Sequence, residues 1–311
     1  MLFRSIQRFS MKSYTLYQVD AFTKTKFTGN SAGVVPRADG LSVPQMQQIA
    51  REVDSSETAF VFSSPSPAYD VRVRFFSLLQ EVPLCGHATV AAHYVRALEG
   101  AATSGTIYQK TKAGILPVDI LRVRGDFAVR MTQGTPYVGP PLKESAAQAI
   151  LNALGITPQD LREGCPVAIA SAGYGKMMVG IGSLEKLHRL APNMDKLTGL
   201  SKEIGCNGYY VFTLHPGEKV LVHGRMFAPA SGVPEDPVTG NANGPLGLYL
   251  VHYNVCPRLI SGDKLVFTIR QGEAMGRPGS MQVQVDISNG TPIRSHITGH
   301  AVVVWKTEIV L

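Results

Sequence analysis

The sequence predicts two similar α+β domains, because an internal repeat, alternating strand patterns and one broadly apolar helix in each copy favour that fold class. The chain has 311 residues, of which 44% are hydrophobic and 17% are charged. At roughly 150 residues per domain, this length fits two globular domains. No run approaches the roughly 18 consecutive apolar residues that span a bilayer, so we do not expect an integral membrane protein.

The repeat consists of matching segments that occur in the same order in both halves. In each copy a basic-acidic-aliphatic triplet precedes an aromatic strand, a second strand carries an arginine, and a glycine opens an apolar helix. The matched ranges are 51–62 with 202–212, 74–77 with 225–228, and 85–89 with 239–243. Each copy is therefore predicted to run helix, strand, strand, loop, helix.

Each element follows from its own pattern. Residues 43–53 predict a short polar helix, and the alternation of residues 70–75 predicts a strand. The helix that contains Val90, Tyr94 and Leu98 is apolar around much of its circumference, so a sheet must enclose it. The remaining predicted elements are helices at 196–204 and 245–251 and strands at 106–110, 127–131, 264–270, 281–287 and 299–305.

The best candidate for a linker is residues 133–142, which are rich in glycine and proline. Such a segment cannot continue a helix or an inner strand, so we expect a domain boundary near residue 135. A mirrored turn is predicted at residues 289–292, before the last strand.

The net charge of +7 raises the question of a polyanionic partner. Much of the excess lies near the start of the chain, where five basic side chains up to Lys26 face Asp20 alone. Elsewhere lysines and arginines are scattered among acidic residues, as on a solvated surface, so we expect no nucleic-acid partner. Residues 1–12 read as an N-terminal tail. A short mitochondrial presequence is the alternative, because this segment lacks acidic residues and spaces its apolar residues as a helix does.

The four cysteines indicate a reducing compartment, and we expect a cytoplasmic protein. They are far apart, form no CxxC pair, and accompany no secretory signal. His87 and His93 have no acidic residue between them and do not show the spacing of a metal motif. We therefore predict no metal.

Two glycines, Gly86 and Gly240, begin the two core helices, and helix N-termini are natural sites for an anion. A pseudo-twofold relation would place both N-termini at one cleft between the domains. Plain helix capping is the structural alternative.

Positions at which the two copies differ are candidates for chemistry, because fold constraints recur in both copies whereas catalytic roles need not. The candidates are Glu57, which matches Gly208; His87, which matches Asn241; and Asp236, which matches Val82. A partly buried carboxylate is suited to general-base work, but Glu57 can equally be a loop residue that caps a helix. Glu81 and Glu235 recur in both copies and are interpreted as structural.

Five segments, residues 19–22, 29–35, 56–60, 85–89 and 235–240, resemble the phenazine-biosynthesis PhzF-like isomerases in order and spacing. The resemblance spans residues 14–311. It implies the diaminopimelate-epimerase-like fold, in which each of two mirrored domains wraps a mixed sheet around a central helix. The implied domains are residues 13–134 with 298–311, and residues 135–297.

The resemblance also implies a cofactor-independent isomerase that moves a proton on a small carboxylate-bearing metabolite. Glu57 matches the general base, while His87 and Asp236 match residues that hold the substrate. The implied substrate-binding residues are Gly86, Gly240, Asn241 and Asn30. A homodimer is expected from the family.

Two departures leave the substrate open: Asn241 stands where the phenazine enzyme has Ser, and Phe76-Ser77-Leu78 replaces Phe-Thr-Pro. Cys85 occupies the position of one catalytic thiol of related epimerases, but Thr239 replaces the other. The alternatives are therefore a dehydratase or epimerase of an amino or hydroxy acid, or a protein-binding module of this fold without turnover.

Overall fold

The structure is a computed structural model that describes residues 12–216 and 221–311. The predicted N-terminal tail therefore lies outside the described residues except for Lys12. The six α-helices in the described ranges are α1 (Val43–Val53), α2 (Gly86–Leu98), α3 (Glu144–Leu154), α4 (Leu184–Arg189), α5 (Met194–Ile204) and α6 (Gly240–His252).

The strands of the first half lead from the N-terminus to the third helix. They are β1 (Ser13–Ala21), β2 (Asn30–Val35), β3 (Glu57–Ser63), β4 (Val71–Ser77), β5 (Glu81–Val82), β6 (Gly105–Thr111), β7 (Gly114–Val123), β8 (Asp126–Thr132) and β9 (Tyr137–Pro141). Those of the second half are β10 (Ala168–Ser171), β11 (Lys176–Gly180), β12 (Tyr209–Leu214), β13 (Val222–Ala228), β14 (Val233–Asp236), β15 (Ile260–Ser261), β16 (Lys264–Gln271), β17 (Gly279–Ser288), β18 (Thr291–Gly299) and β19 (Ala301–Val310).

Hydrogen bonds join these strands into one mixed sheet that runs through both halves. In the first half β2 pairs in parallel with β3, and β4 pairs in parallel with β6. The second half repeats this arrangement, because β11 is parallel to β12 and β13 is parallel to β16. Antiparallel pairing of β8 with β18 joins the halves. The predicted α+β class with a mixed sheet is confirmed.

The core helices α2 and α6 lie against this sheet and are buried around most of their circumference. Residues of both belong to one apolar cluster with side chains from the surrounding strands. Small residues permit the close approach; a Cβ added at Gly247 of α6 would lie 2.6 Å from Val285 Cγ2 on β17. The enclosed helix predicted from Val90, Tyr94 and Leu98 is confirmed, although Leu98 at its C-terminal end is exposed.

The first helix of each copy is amphipathic and begins at a polar cap. In α1 the Ser42 hydroxyl accepts a hydrogen bond from the Gln45 amide, and the Gln45 side chain accepts one from the Ser42 amide. In α5 the Asn193 side chain caps Lys196, and Gly205 ends the helix in the left-handed conformation. The predicted helices at 43–53 and 196–204 are confirmed.

One prediction needs correction: residues 133–142 are not a simple linker. They contain β9, which pairs with β10. A proline-rich strand can form here because β9 lies at the edge of the sheet. Its prolines lack N–H groups, but on the unpaired side of an edge strand no neighbouring strand needs them as hydrogen-bond donors. The turn predicted near residue 290 is present as the β17–β18 connection, where Asn289 and Gly290 both have positive φ.

The last strand crosses back to the first half, since β19 pairs with β1 over its whole length. This pairing agrees with the expected return of the C-terminus, while the exact division at residues 134 and 298 stays a prediction. Among the described helices, none combines the length and apolarity that a transmembrane segment needs.

Candidate active site

A cavity of about 340 Å³ lies between the two halves, beside the N-termini of both core helices. This volume falls in the range of small-molecule sites. Its lining brings together residues that are far apart in sequence: Glu57, Cys85, Gly86, His87, Tyr174, Lys176, Asn207, Asp236, Thr239, Gly240 and Asn241, with several apolar side chains. The cavity therefore contains six of the seven predicted site residues.

Glu57 is the first residue of β3, and its side chain reaches the cavity while remaining 23% exposed. Its Oε2 lies 3.3 Å from Nε2 of His87, the second residue of α2. The Ser56 hydroxyl lies 3.0 Å from the same nitrogen. The His87 imidazole thus lies between a carboxylate and a hydroxyl. Its contact with Glu57 holds that carboxylate at the cavity wall.

Asp236 approaches from the second half, at the end of β14. Its carboxylate accepts hydrogen bonds from the Asn30 amide at 2.8 Å and from the Thr239 hydroxyl. Burial raises the pKa of Asp236, whereas the nearby His87 and these two hydrogen bonds act in the opposite direction. His87 therefore favours the ionised form of Asp236 from across the cavity.

Asn30 was predicted to bind substrate, but its place in the structure favours another role. It is 2% exposed and is not among the residues that line the cavity. Its amide nitrogen also donates to the Val238 carbonyl at 3.0 Å. Both acceptors of Asn30 lie beside the α6 N-terminus, so its geometry is that of a residue that positions Asp236.

Both core helices begin at the cavity, with Cys85 and Thr239 at their N-cap positions. Within the described residues, neither side chain caps its helix by a hydrogen bond. The first N–H groups of a helix have no intrahelical acceptor and carry the positive end of the dipole. A Cβ at Gly86 would meet nothing within 4 Å, so this helix start is open to a ligand.

Glu57, Cys85 and His87 offer three donor atoms within 4.8 Å of one another, a set that could hold a metal ion. Burial and the Glu57 carboxylate raise the pKa of the Cys85 thiol well above its usual range. A second such set, outside the cavity, consists of His188, His223 and Glu273.

Comparison with known proteins identifies the family. The family model for phenazine biosynthesis-like proteins, PhzC-PhzF, matches residues 19–307. The chain belongs to this family. It is 51% identical over 304 residues to a protein of Clostridium acetobutylicum named an uncharacterized isomerase, covering 97% of this chain and 99% of the relative. It is 47% identical to the uncharacterized isomerase YddE of Escherichia coli K12, covering 94% of this chain and 97% of YddE.

Solved structures agree with this membership. The PhzF-family phenazine biosynthesis protein of Bacillus anthracis has a TM-score of 0.86 and 32% sequence identity, and it covers 97% of this chain and 100% of its own. A hydroxyproline epimerase from Agrobacterium vitis, at 14% identity and a TM-score of 0.61, shares the fold alone. The epimerase-like fold of this PhzC-PhzF member is therefore confirmed.

Sequence reasoning missed one charged residue of the cavity, Lys176. The sequence contains a further match between the copies that could have found it. Gly29 and Gly173, which both have positive φ, precede the matched strands β2 and β11. The segment between this strand and the next matched helix is longer in the second copy, where it contains α4, so the match does not keep the offset of the other repeats. Lys176 follows in β11 where β2 has a small residue.

Proposed function

We propose that this chain is a cofactor-independent isomerase that moves a proton on a small carboxylate-bearing metabolite, with Glu57 as general base and acid. The observation that carries the proposal is the 3.3 Å contact between Glu57 and His87 at a cavity that also receives two helix N-termini. The family membership and the relatives named isomerases support the same reaction class.

Substrate binding follows from the helix ends. A carboxylate at the N-termini of α2 and α6 would accept hydrogen bonds from backbone N–H groups near Gly86, Gly240 and Asn241. These donors are fixed by the fold, so they need no reorganisation when negative charge develops on the substrate. The Asp236 carboxylate is available to accept a hydrogen bond from a substrate N–H or O–H group.

In the proton-transfer step, the Glu57 carboxylate takes a proton from a carbon next to a conjugated acid. The electron pair of the broken C–H bond moves into the conjugated system, and the helix N–H groups stabilise the resulting oxyanion. Glu57 then returns its proton to a different carbon, which restores the carboxylate and yields an isomer. His87 holds Glu57 in place throughout.

Two-thiol epimerisation fits this site poorly. The Thr239 hydroxyl, at the position of a second thiol, donates to Asp236, and the environment of Cys85 disfavours its thiolate. A dehydratase would use the same Glu57 but release water. A homodimer and a cytoplasmic location are further parts of the proposal; light scattering on the purified chain tests the first, and cell fractionation tests the second.

The test is exchange of substrate hydrogen for deuterium. Small unsaturated and amino acids are screened by thermal shift, because a ligand that binds the folded state raises its stability. Compounds that bind are then incubated in D2O with the wild-type protein and with Glu57→Gln. Loss of a general base should slow exchange by roughly 10²- to 10⁴-fold.

The matched control is Glu52→Gln, which removes an exposed carboxylate on α1 and should leave exchange unchanged. Equal exchange rates for Glu57→Gln and the wild type would refute the base assignment. The product spectrum separates the reaction classes, since an isomer keeps the mass of the substrate whereas a dehydratase product lacks one water.

A further inference from the structure

Lys176, the first residue of β11, carries a buried ammonium group at the wall of the cavity. The residue is 5% exposed. Its Nζ donates a hydrogen bond of 2.8 Å to the carbonyl of Asn207, which also lines the cavity. Within the described part of the chain, this is the one acceptor within hydrogen-bond distance of an ammonium that has three donors.

The charged groups of the cavity wall include one cationic side chain, that of Lys176. Glu57 and Asp236 place two carboxyl groups in the wall, and among the described lining residues Lys176 is the one lysine or arginine. Each helix N-terminus supplies a partial positive charge of about half a unit. A ligand with one carboxylate can be held by the helix ends, so the ammonium is available for a further negative group.

The repeat shows that the fold does not require a lysine here. Parallel pairing places Ala32 of β2 opposite Glu57 of β3. In the second half Met177 pairs with Tyr209, so Lys176 lies one residue earlier, beside Gly208. The first copy therefore has a carboxylate next to a small residue, whereas the second has a glycine next to an ammonium.

Burial of this ammonium opposes its charged form. Desolvation lowers the pKa of Lys176 to about 8, although the Asp236 carboxylate acts in the opposite direction. An alanine would satisfy the strand without this cost, as the first copy does at Ala32. A bound anion would replace the water that the ammonium loses on burial.

We propose that Lys176 forms a second anion subsite in this cavity and that the substrate is a dicarboxylate, with one carboxylate at the helix N-termini and the other at Lys176. This inference rests on the proposed function for the first carboxylate. Lys176 then selects the substrate through its second carboxylate.

The experiment measures binding and requires no turnover. The full chain is titrated at pH 7 with straight-chain dicarboxylates of four to seven carbons, from succinate to pimelate, and with the monocarboxylates of equal length, from butyrate to heptanoate. We expect at least one dicarboxylate to bind about tenfold more tightly than its monocarboxylate, because a charge-assisted hydrogen bond is added. Lys176→Met should abolish this preference, because it weakens dicarboxylate binding more than monocarboxylate binding.

Lys176→Gln and Lys176→Arg complete the set if Lys176→Met fails to fold. Arginine should keep part of the preference, and glutamine should lose it. The inference is wrong if the wild type does not prefer any dicarboxylate, or if the preference persists without a cation at residue 176. This outcome is independent of the exchange test. If the dicarboxylate preference depends on Lys176 but deuterium exchange is as fast in Glu57→Gln as in the wild type, the subsite stands and the assignment of Glu57 as the base of an isomerase is refuted.

Discussion

The two halves of this protein repeat one architecture but differ in what they place at the shared cavity. Arg74 and Glu81 in the first half form a two-pronged ion pair with contacts of 2.8 Å, and Arg225 and Glu235 do the same at 2.8 and 2.7 Å. The interpretation of Glu81 and Glu235 as structural is thus confirmed.

At the cavity the repeat breaks down. Glu57 and His87 have no chemical counterpart in the second half, where Gly208 and Asn241 stand, and Lys176 has none in the first. Residues shared by the copies maintain the fold, whereas the residues that differ at the cavity are available for chemistry. Substitutions at three matched positions test this difference between the halves.

The largest effect is expected at the recurring ion pair, whose two copies differ in surroundings. Side chains of Arg225 and Glu235 are 9% and 14% exposed, and Arg225 also donates to backbone carbonyls near α4. Arg225→Met should lower the free energy of unfolding by about 3–5 kcal/mol, because it removes a buried guanidinium and leaves the partly buried Glu235 carboxylate without its partner. Arg74→Met should cost only about 1–2 kcal/mol, since Lys112 stays 2.7 Å from Glu81.

Urea unfolding followed by circular dichroism measures both losses, and the matched variant in each half serves as control for the other. Equal losses in the two variants would show that neither the burial of Arg225 nor the second cation beside Glu81 distinguishes the copies.

A second effect is expected within the core helices, where His93 of α2 matches Gly247 of α6. His93 is fully buried and its Nε2 lies 2.9 Å from Gln109 Oε1. Burial lowers the pKa of His93 from 6.5 to about 4. As the pH falls, His93 is therefore protonated in the unfolded chain at a higher pH than in the folded chain. Lowering the pH from 7 to 5 should reduce the free energy of unfolding by about 2 kcal/mol through this residue.

The variant His93→Gln cannot titrate and should lack this part of the acid sensitivity. His252→Gln, at an exposed position of α6, should follow the wild type. Unfolding free energies at pH 7, 6 and 5 decide the question; parallel curves for wild type and His93→Gln would contradict the prediction.

The smallest effect concerns the charge of Lys176. Because its pKa is about 8, the dicarboxylate preference should fall about tenfold from pH 7 to pH 9 as the ammonium loses its proton. Asp236 and Cys206 both favour the charged form, and Glu57 and His87 share the cavity. Lys176→Arg should keep its preference at pH 9, since arginine stays charged. A parallel decline in both proteins would assign the titration to another group.

The repeat allowed much of the fold to be predicted, because helix and strand periodicities recur in matching order. The helices followed from the periodic spacing of apolar residues. The equivalent structural roles of Glu81 and Glu235 followed from their matched positions in the repeat. The edge strand β9 was missed, since prolines exclude an inner strand but not a strand with one unpaired side.

The candidate site could be predicted only in part. Glu57, His87 and Asp236 were found because they differ between copies, and the structure brings all three to one cavity. Lys176 was missed because a loop of different length obscured the match of β2 with β11. Asn30 was placed in the site, but its burial and its hydrogen bonds to Asp236 and Val238 could be read only from the packed chain.

The α+β class, the duplication and the unmatched polar residues could all be read from the chain, because periodicity and repeat spacing are properties of the sequence. Which of these residues face one another depends on long-range packing. Strand pairing across β8 and β18, and the return of β19 to β1, fix the two core-helix N-termini beside one cavity. Such contacts join residues more than 150 positions apart, and no local pattern specifies them.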